Sequence, residues 1–165
     1  MTRRTRTILA AGAAGTLVLT VAPAATAEIT LSRSIAGIHL HQSHTTVKRH
    51  LGEPRSVATR HLGMIDRDVK TWLYGKAGRR LAITFLDGEV VQVSTRSKRQ
   101  RTPQDIGVGS TKAEVKEALG MRCYPRSKRV TDCGWTAAPD PGERTTWFRL
   151  RDGLVVKSGV MVGLY

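Results

Sequence analysis

One stretch of this chain occurs twice. The segment from Ile38 to Gly52 returns at Ile106 to Gly120, with Ile38/Ile106, Leu40/Val108, Val47/Val115, Leu51/Leu119 and Gly52/Gly120 in matching places. Further on, Leu81–Gly88 is echoed by Thr146–Gly153, each ending in Asp-Gly. A repeat of this kind sets the unit of folding, because each copy must bury its own apolar positions or share a core with the other.

Local chemistry parses each copy. In the second, Thr102-Pro103-Gln104-Asp105 has the order of a helix start: a capping hydroxyl, proline at the first helical position and a carboxylate in the first turn. Thr111-Lys112-Ala113-Glu114 is a capping box that opens another helix. Val115, Ala118 and Leu119 form its apolar stripe, and Gly120 ends it. The first copy matches, with Ser43 as cap, Val47 and Leu51 facing inward, Gly52 as stop and Pro54 forbidding continuation. β-rich runs follow in both: Val69–Tyr74, Leu81–Leu86 and Val90–Ser94, then Arg122–Arg126, Val130–Trp135, Thr145–Leu150 and Leu154–Val162. Asp87-Gly88 and Asp152-Gly153 are hairpin turn pairs. The expected fold class is therefore α+β, two tandem helix-helix-β-meander repeats with helices packed on one face of an antiparallel sheet.

The expected organisation is a leader at 1–27, a first copy at 28–95, a basic linker at 96–101 and a second copy at 102–165. Arg3, Arg4 and Arg6 precede an alanine-rich apolar stretch from Ile8 to Val21, and Ala25-Thr26-Ala27 offers a cleavage site. Arg6 stands where a twin-arginine signal wants an apolar residue, so the general secretory route is expected. The stretch is short and interrupted by Gly12, Gly15 and Pro23, which argues against a membrane span. Cleavage after Ala27 would leave a secreted or wall-associated chain with no transmembrane segment. The linker Arg96-Ser97-Lys98-Arg99-Gln100-Arg101 carries four positive charges in six residues.

The chain has 27 Lys and Arg against 13 Asp and Glu, a formal net charge of +14. A field of this sign favours anionic partners without specifying a fold. The two cysteines, Cys123 and Cys133, suit neighbouring strands of a hairpin, and in an exported protein they read as a structural disulfide.

These residues resemble the tandem helix-helix-sheet repeat of the secreted β-lactamase inhibitory proteins, and the single-copy unit of the SmpA/OmlA outer-membrane lipoproteins. The shared signature is Ile-x-x-Gly-Met-Thr-x-x-x-Val-x-x-x-Leu/Ile-Gly. Ile106 to Gly120 follows it with Ser110 in place of Met, and the first copy has His41 for the glycine and Ser43 for the threonine. The resemblance also implies the Cys123–Cys133 pairing, which the first copy lacks. Inhibitors of this kind apply a concave, aromatic-lined sheet to an enzyme and insert an acidic hairpin loop from the first repeat. Here the corresponding loop, Gly75-Lys76-Ala77-Gly78-Arg79-Arg80, is basic. A positive loop does not imitate a β-lactam carboxylate.

The function expected from these features is non-catalytic binding of an acidic extracellular protein or an anionic wall polymer, by a monomer. The alternative is inhibition of a β-lactamase or related penicillin-binding enzyme. Trp72, Tyr74, Trp135 and Trp147 are the candidate anchors, with Lys76, Arg79, Arg80 and Arg149 as the basic partners. Lys70, Arg151 and Lys157 extend that rim. His39, His41, His44, His50 and His61 lack carboxylate or cysteine partners at ligand spacing, so no metal and no cofactor are expected. Asp66, Asp68, Asp87, Asp140 and Asp152 occupy turn-like contexts, and no nucleophile elbow or zinc-binding helix occurs, so no catalytic residue is nominated. Specific nucleic-acid binding is not expected, because the basic linker has no interleaved aromatics.

Overall fold

The computed structural model describes residues 28–76 and 80–164. The leader at 1–27, together with Arg79, lies outside them. Eleven strands and two helices follow in chain order: β1 (Ile29–Thr30), β2 (Ser34–Ile35), β3 (Ile38–His39), α1 (His44–Leu51), β4 (Ser56–Leu62), β5 (Arg67–Tyr74), β6 (Leu81–Leu86) and β7 (Glu89–Thr95). After these come α2 (Lys112–Leu119), β8 (Arg122–Pro125), β9 (Val130–Gly134), β10 (Arg144–Arg151) and β11 (Leu154–Val162).

The main body is one eight-stranded antiparallel sheet in the order β4-β5-β6-β7-β11-β10-β9-β8. Two four-stranded meanders meet through their last strands, with Ser158 opposite Thr95 and Val160 opposite Val93. The Asp-Gly pairs turn as expected: Asp87 and Gly88 have φ of 52° and 85°, Asp152 and Gly153 of 51° and 83°. Two successive positive φ values match the twist of the flanking strands, which is why this dipeptide is used there.

The helix-helix-meander expectation is overturned. Among the described residues each copy has one α-helix, and strand dominates the molecule. In the second copy, Thr102 does not start a helix, because Asp105 adopts φ of 60°. The Asp105 amide then donates to the Thr102 carbonyl at 2.9 Å, and the Ile106 amide to Thr102 Oγ1 at 3.1 Å. The hydroxyl and carboxylate that suit a helix start equally suit a closed turn, and the left-handed residue decides for the turn. In the first copy the corresponding stretch is the small sheet β1-β2-β3, with Ile29 paired to Ile35 and Ile35 to Ile38. Ser32 and Ala36, at φ of 54° and 53°, make its corners.

The later helix of each copy forms as its caps require. Thr111 Oγ1 accepts from the Glu114 amide at 3.2 Å, and Glu114 reaches back to the Thr111 amide at 2.6 Å. Gly120 ends α2 at φ of 63°. Ser43 caps α1, accepting from the Thr46 amide at 3.3 Å, but α1 has no acidic residue in its first turn to close the box.

One face of the large sheet is covered. Val47 of α1 and Ile29, Ile35 and Ile38 of the small sheet pack on Ile83, Phe85, Val93 and Val160. Val115 of α2 packs on Phe148, Leu150 and Val155. The Ser32 amide donates to Thr146 Oγ1 at 2.6 Å, tying the first copy's small sheet to the second copy's β10. Strict alternation along β6, with Leu81, Ile83 and Phe85 buried, sends Ala82 and Thr84 to the opposite face. Among the described residues that opposite face carries no helix. The linker residues Arg96, Lys98 and Arg99 are exposed, whereas Ser97 is buried, with its amide donating to Thr95 Oγ1 at 3.0 Å.

Candidate functional site

The uncovered face lines a groove of about 840 Å³. Its floor is made of short side chains from the central strands, among them Ala58, Thr71, Ala82, Thr84 and Ser94. Its walls at the second-copy end are longer: Tyr124, Arg126, Trp147, Arg149 and Lys157.

Trp147 anchors that end. A Cβ placed on Gly159 would lie 2.3 Å from the indole Cε2, so the ring lies flat in the space that any side chain at position 159 would take. Lys157 Nζ sits over the ring, 5.3 Å from its centroid, and the Arg149 guanidinium carbon lies over it at 5.8 Å. Such cation–aromatic contacts contribute about 0.5–1 kcal/mol each at partly exposed sites.

Asp132 fixes Arg149. Nε and Nη2 of Arg149 each donate at 2.8 Å, one to each carboxylate oxygen, and Arg126 Nε donates to Oδ2 at 3.1 Å. The Arg149 hydrogen bonds are the main reason the Asp132 carboxyl is held below the usual carboxylate range, against an opposing effect of burial. Lys157 is different. Partial burial draws its ammonium below the usual lysine value, and the nearby charges of Arg96 and Arg149 push the same way. Among the described residues Lys157 has no carboxylate partner within salt-bridge distance.

The structure divides the residues singled out in the sequence. Trp147 and Arg149 meet on the uncovered face, with Lys157 beside them. Trp72 and Tyr74 lie on the covered face: Trp72 packs on Phe85 at 4.7 Å between ring centroids, and Tyr74 donates from its hydroxyl to the Gly52 carbonyl at 3.2 Å. The period-2 alternation opposite Ile83 and Leu81 puts them there, and a small core takes up their area. Trp135 is exposed just beyond β9 and does not line the groove. Lys76 and Arg80 are exposed at the β5–β6 turn.

Cys123 and Cys133 are bonded across β8 and β9, and lie on the side of the α2 core. His41 lies 3.5 Å from Glu89, and His61 pairs with Asp68 at 3.0 Å. Among the described residues no three His, Cys, Asp or Glu side chains converge on a common point. Nor is any helix there long and apolar enough to cross a membrane. Two residues of the site, Asp132 and Arg126, gave no sequence signal beyond their charge. Asp132 was recoverable only from the hairpin register that places it opposite Arg149.

The fold and groove thus define an open-faced antiparallel sheet with one bare, basic side. No family model matches the chain, and no curated protein matches it. Among solved structures, an extracellular SCP-domain protein from Bacillus anthracis aligns over 74% of this chain at 12% identity and a TM-score of 0.48. This chain covers 44% of that protein, under half its length. The Escherichia coli protein YfeY aligns over 79% of this chain and 95% of its own, at 13% identity and a TM-score of 0.48. A candidate beta-lactamase inhibitor protein from Streptococcus mutans aligns over 72% and 82%, at 15% identity and a TM-score of 0.34. At these identities and scores the likenesses assign neither family nor activity.

Proposed function

We propose that the protein is a secreted, non-catalytic binding module that takes an anionic partner on the bare face of its sheet. One observation carries this reading: Trp147, Arg149 and Lys157 sit together in a broad groove that, among the described residues, no helix covers. An aromatic body gives contact area, and cations beside it give attraction to negative charge. The excess of Lys and Arg over Asp and Glu, which persists without the leader's Arg3, Arg4 and Arg6, acts in the same direction at longer range. The partner is an acidic extracellular protein or an anionic polymer of the cell wall.

The test is retention of the protein on isolated cell walls over a salt series. Retention should fall steadily as ionic strength rises from about 0.05 to 0.5 M, because charge attraction at an open face is screened over roughly 10 Å or less. No retention, or retention indifferent to salt, would sink the reading. Slowed nitrocefin turnover by a class A β-lactamase would replace it with enzyme inhibition.

A further inference from the structure

The strand registers arrange the open face's cations more regularly than the sequence suggests. Arg149 on β10 is directly opposite Lys157 on β11. The β11–β7 pairing sets Ser158 against Thr95, and one step further on the same register brings Lys157 beside Arg96, the residue that follows β7. The Arg96 amide in turn donates to the Arg80 carbonyl at 3.1 Å, which continues the β6–β7 register one step past Leu81 and Thr95. Arg80, Arg96, Lys157 and Arg149 therefore fall in a single row perpendicular to the chain direction, Lys157 and Arg149 within β11 and β10, Arg96 and Arg80 one residue outside the ends of β7 and β6. The row closes at Asp132, opposite Arg149 on β9. Strand spacing of about 4.8 Å gives the four cations a span of roughly 14 Å.

Like charges set directly opposite on neighbouring strands destabilise a sheet. One carboxylate ends this row, and both its oxygens are already engaged by Arg149 and Arg126. Burial is the main reason the Lys157 ammonium lies below the usual lysine value, and the neighbouring charges of Arg96 and Arg149 push it the same way. Beside the row, on the same face, runs a parallel line of small residues: Ala82, Ser94 and Gly159, then Trp147 lying over Gly159, then Gly134. The result is a shallow trough across the sheet, with positive charge along one bank and one indole on its floor.

We propose that this row binds a linear polyol-phosphate chain lying across the strands, with successive phosphodiesters over successive cations. The inference rests on the anionic-partner reading above and narrows it. A one-dimensional row fits a thread of repeating charges. A folded acidic protein would be expected to meet several aromatic anchors at the centre of its contact, whereas the groove's two aromatics, Trp147 and Tyr124, both stand at its second-copy end. Three of the four cations are arginines, whose forked donors match phosphate oxygens in pairs.

The experiment titrates the protein with oligo(glycerol phosphate) of two, four, six and eight units, following tryptophan emission. Affinity should rise more than tenfold in total between two and four units, then change little. For the longer oligomers, the logarithmic salt slope should be near −3, because each phosphate neutralised on a single flexible chain contributes about 0.7. Lys157→Gln and Arg96→Gln should each reduce the slope by about 0.7, whereas Lys116→Gln, on α2 over the opposite face, should leave it unchanged. A melting curve for each variant separates lost contact from lost fold. Equal affinity for two and eight units, or unchanged slopes in both row variants, overturns the proposal. Oligoglutamate bound as tightly would give the row to an acidic protein, and oligothymidylate bound as tightly would remove the polyol source. Salt-sensitive wall retention without a length dependence would keep the broader reading and discard this one.

Discussion

The two copies of the repeat build the same half-sheet and finish it differently. Each supplies four antiparallel strands, a capped eight-residue helix and an Asp-Gly turn before its last strand. In the first copy the aromatic residues serve the core: Trp72 stacks on Phe85, with the His44 ring edge-on at 6.2 Å. In the second, Trp147 faces the uncovered side, and Phe148 beside it is the aromatic of the α2 core cluster. Their outer strands also differ. β4 is seven residues long and exposed along nearly all of its length, whereas β8 has four residues, ends at Pro125 and is fastened to β9 by the disulfide. The two copies share a scaffold and differ in where they place their aromatic surface. The half with the outward tryptophan is the one with the covalent fastening.

The largest test removes one core aromatic from each half. Phe148→Ala and Phe85→Ala should each cost about 3–5 kcal/mol, because both rings are buried in well-packed clusters. The continuous ladder through β7 and β11 makes both losses global, so amide exchange should accelerate in both halves with either variant. Acceleration confined to the mutated half would show that the copies fold as separate units, and would break the comparison at the seam.

A smaller effect concerns the fastening. Removing the bridge with Cys123→Ala and Cys133→Ala together should cost about 2–3 kcal/mol, the loop-closure entropy of so short a ring. Thermal unfolding with and without reductant measures it, and exchange should rise first at β8 and β9. If the reduced protein melts at the same temperature, the second copy's edge is held by its side chains instead.

The smallest effect is electrostatic. Asp132→Asn should cost about 1 kcal/mol at neutral pH, since it removes the negative charge shared by Arg149 and Arg126 and replaces one of the two acceptor oxygens with an amide donor. The folded carboxyl is depressed relative to the unfolded chain, so its contribution is complete above the ordinary carboxylate pKa of about 4. It is lost as pH falls through the lower, folded value. The stability gap between the wild-type protein and Asp132→Asn should therefore be constant from pH 5 to 8 and narrow below about pH 4. A gap that persists at pH 2 would mean that the carboxylate contributes shape and not charge.

Those features that the sequence made legible are the ones in which a residue's own chemistry decides the backbone. The Thr111–Glu114 box, the Gly120 stop, the two Asp-Gly turns and the cysteine pair each act within a few residues, and each is found where the pattern put it. The helix expected at Thr102 failed because turn and helix share the same opening chemistry, and the outcome was set three residues later by Asp105. Trp72 and Tyr74 pack against the core for a different reason. Their shared face was evident from alternation, but which face the helices would cover depends on the pairing of β5 with β6. Asp132 and the cation row depend on register between strands far apart in sequence, and no short motif records it.

The seam between β7 and β11 has one further meaning. Each is the closing strand of its own meander, and they run antiparallel, so the two copies are related by an approximate twofold axis standing on the sheet. That is the geometry of a symmetrical dimer, in which the same patch supplies both sides of the contact. A single copy set free of its sibling would carry an unpaired closing strand, whose natural mate is an identical strand from another molecule. The tandem chain is in effect a dimer with its subunits joined end to end. Joining them is what allowed one subunit to keep its tryptophan inside while the other turned its own outward.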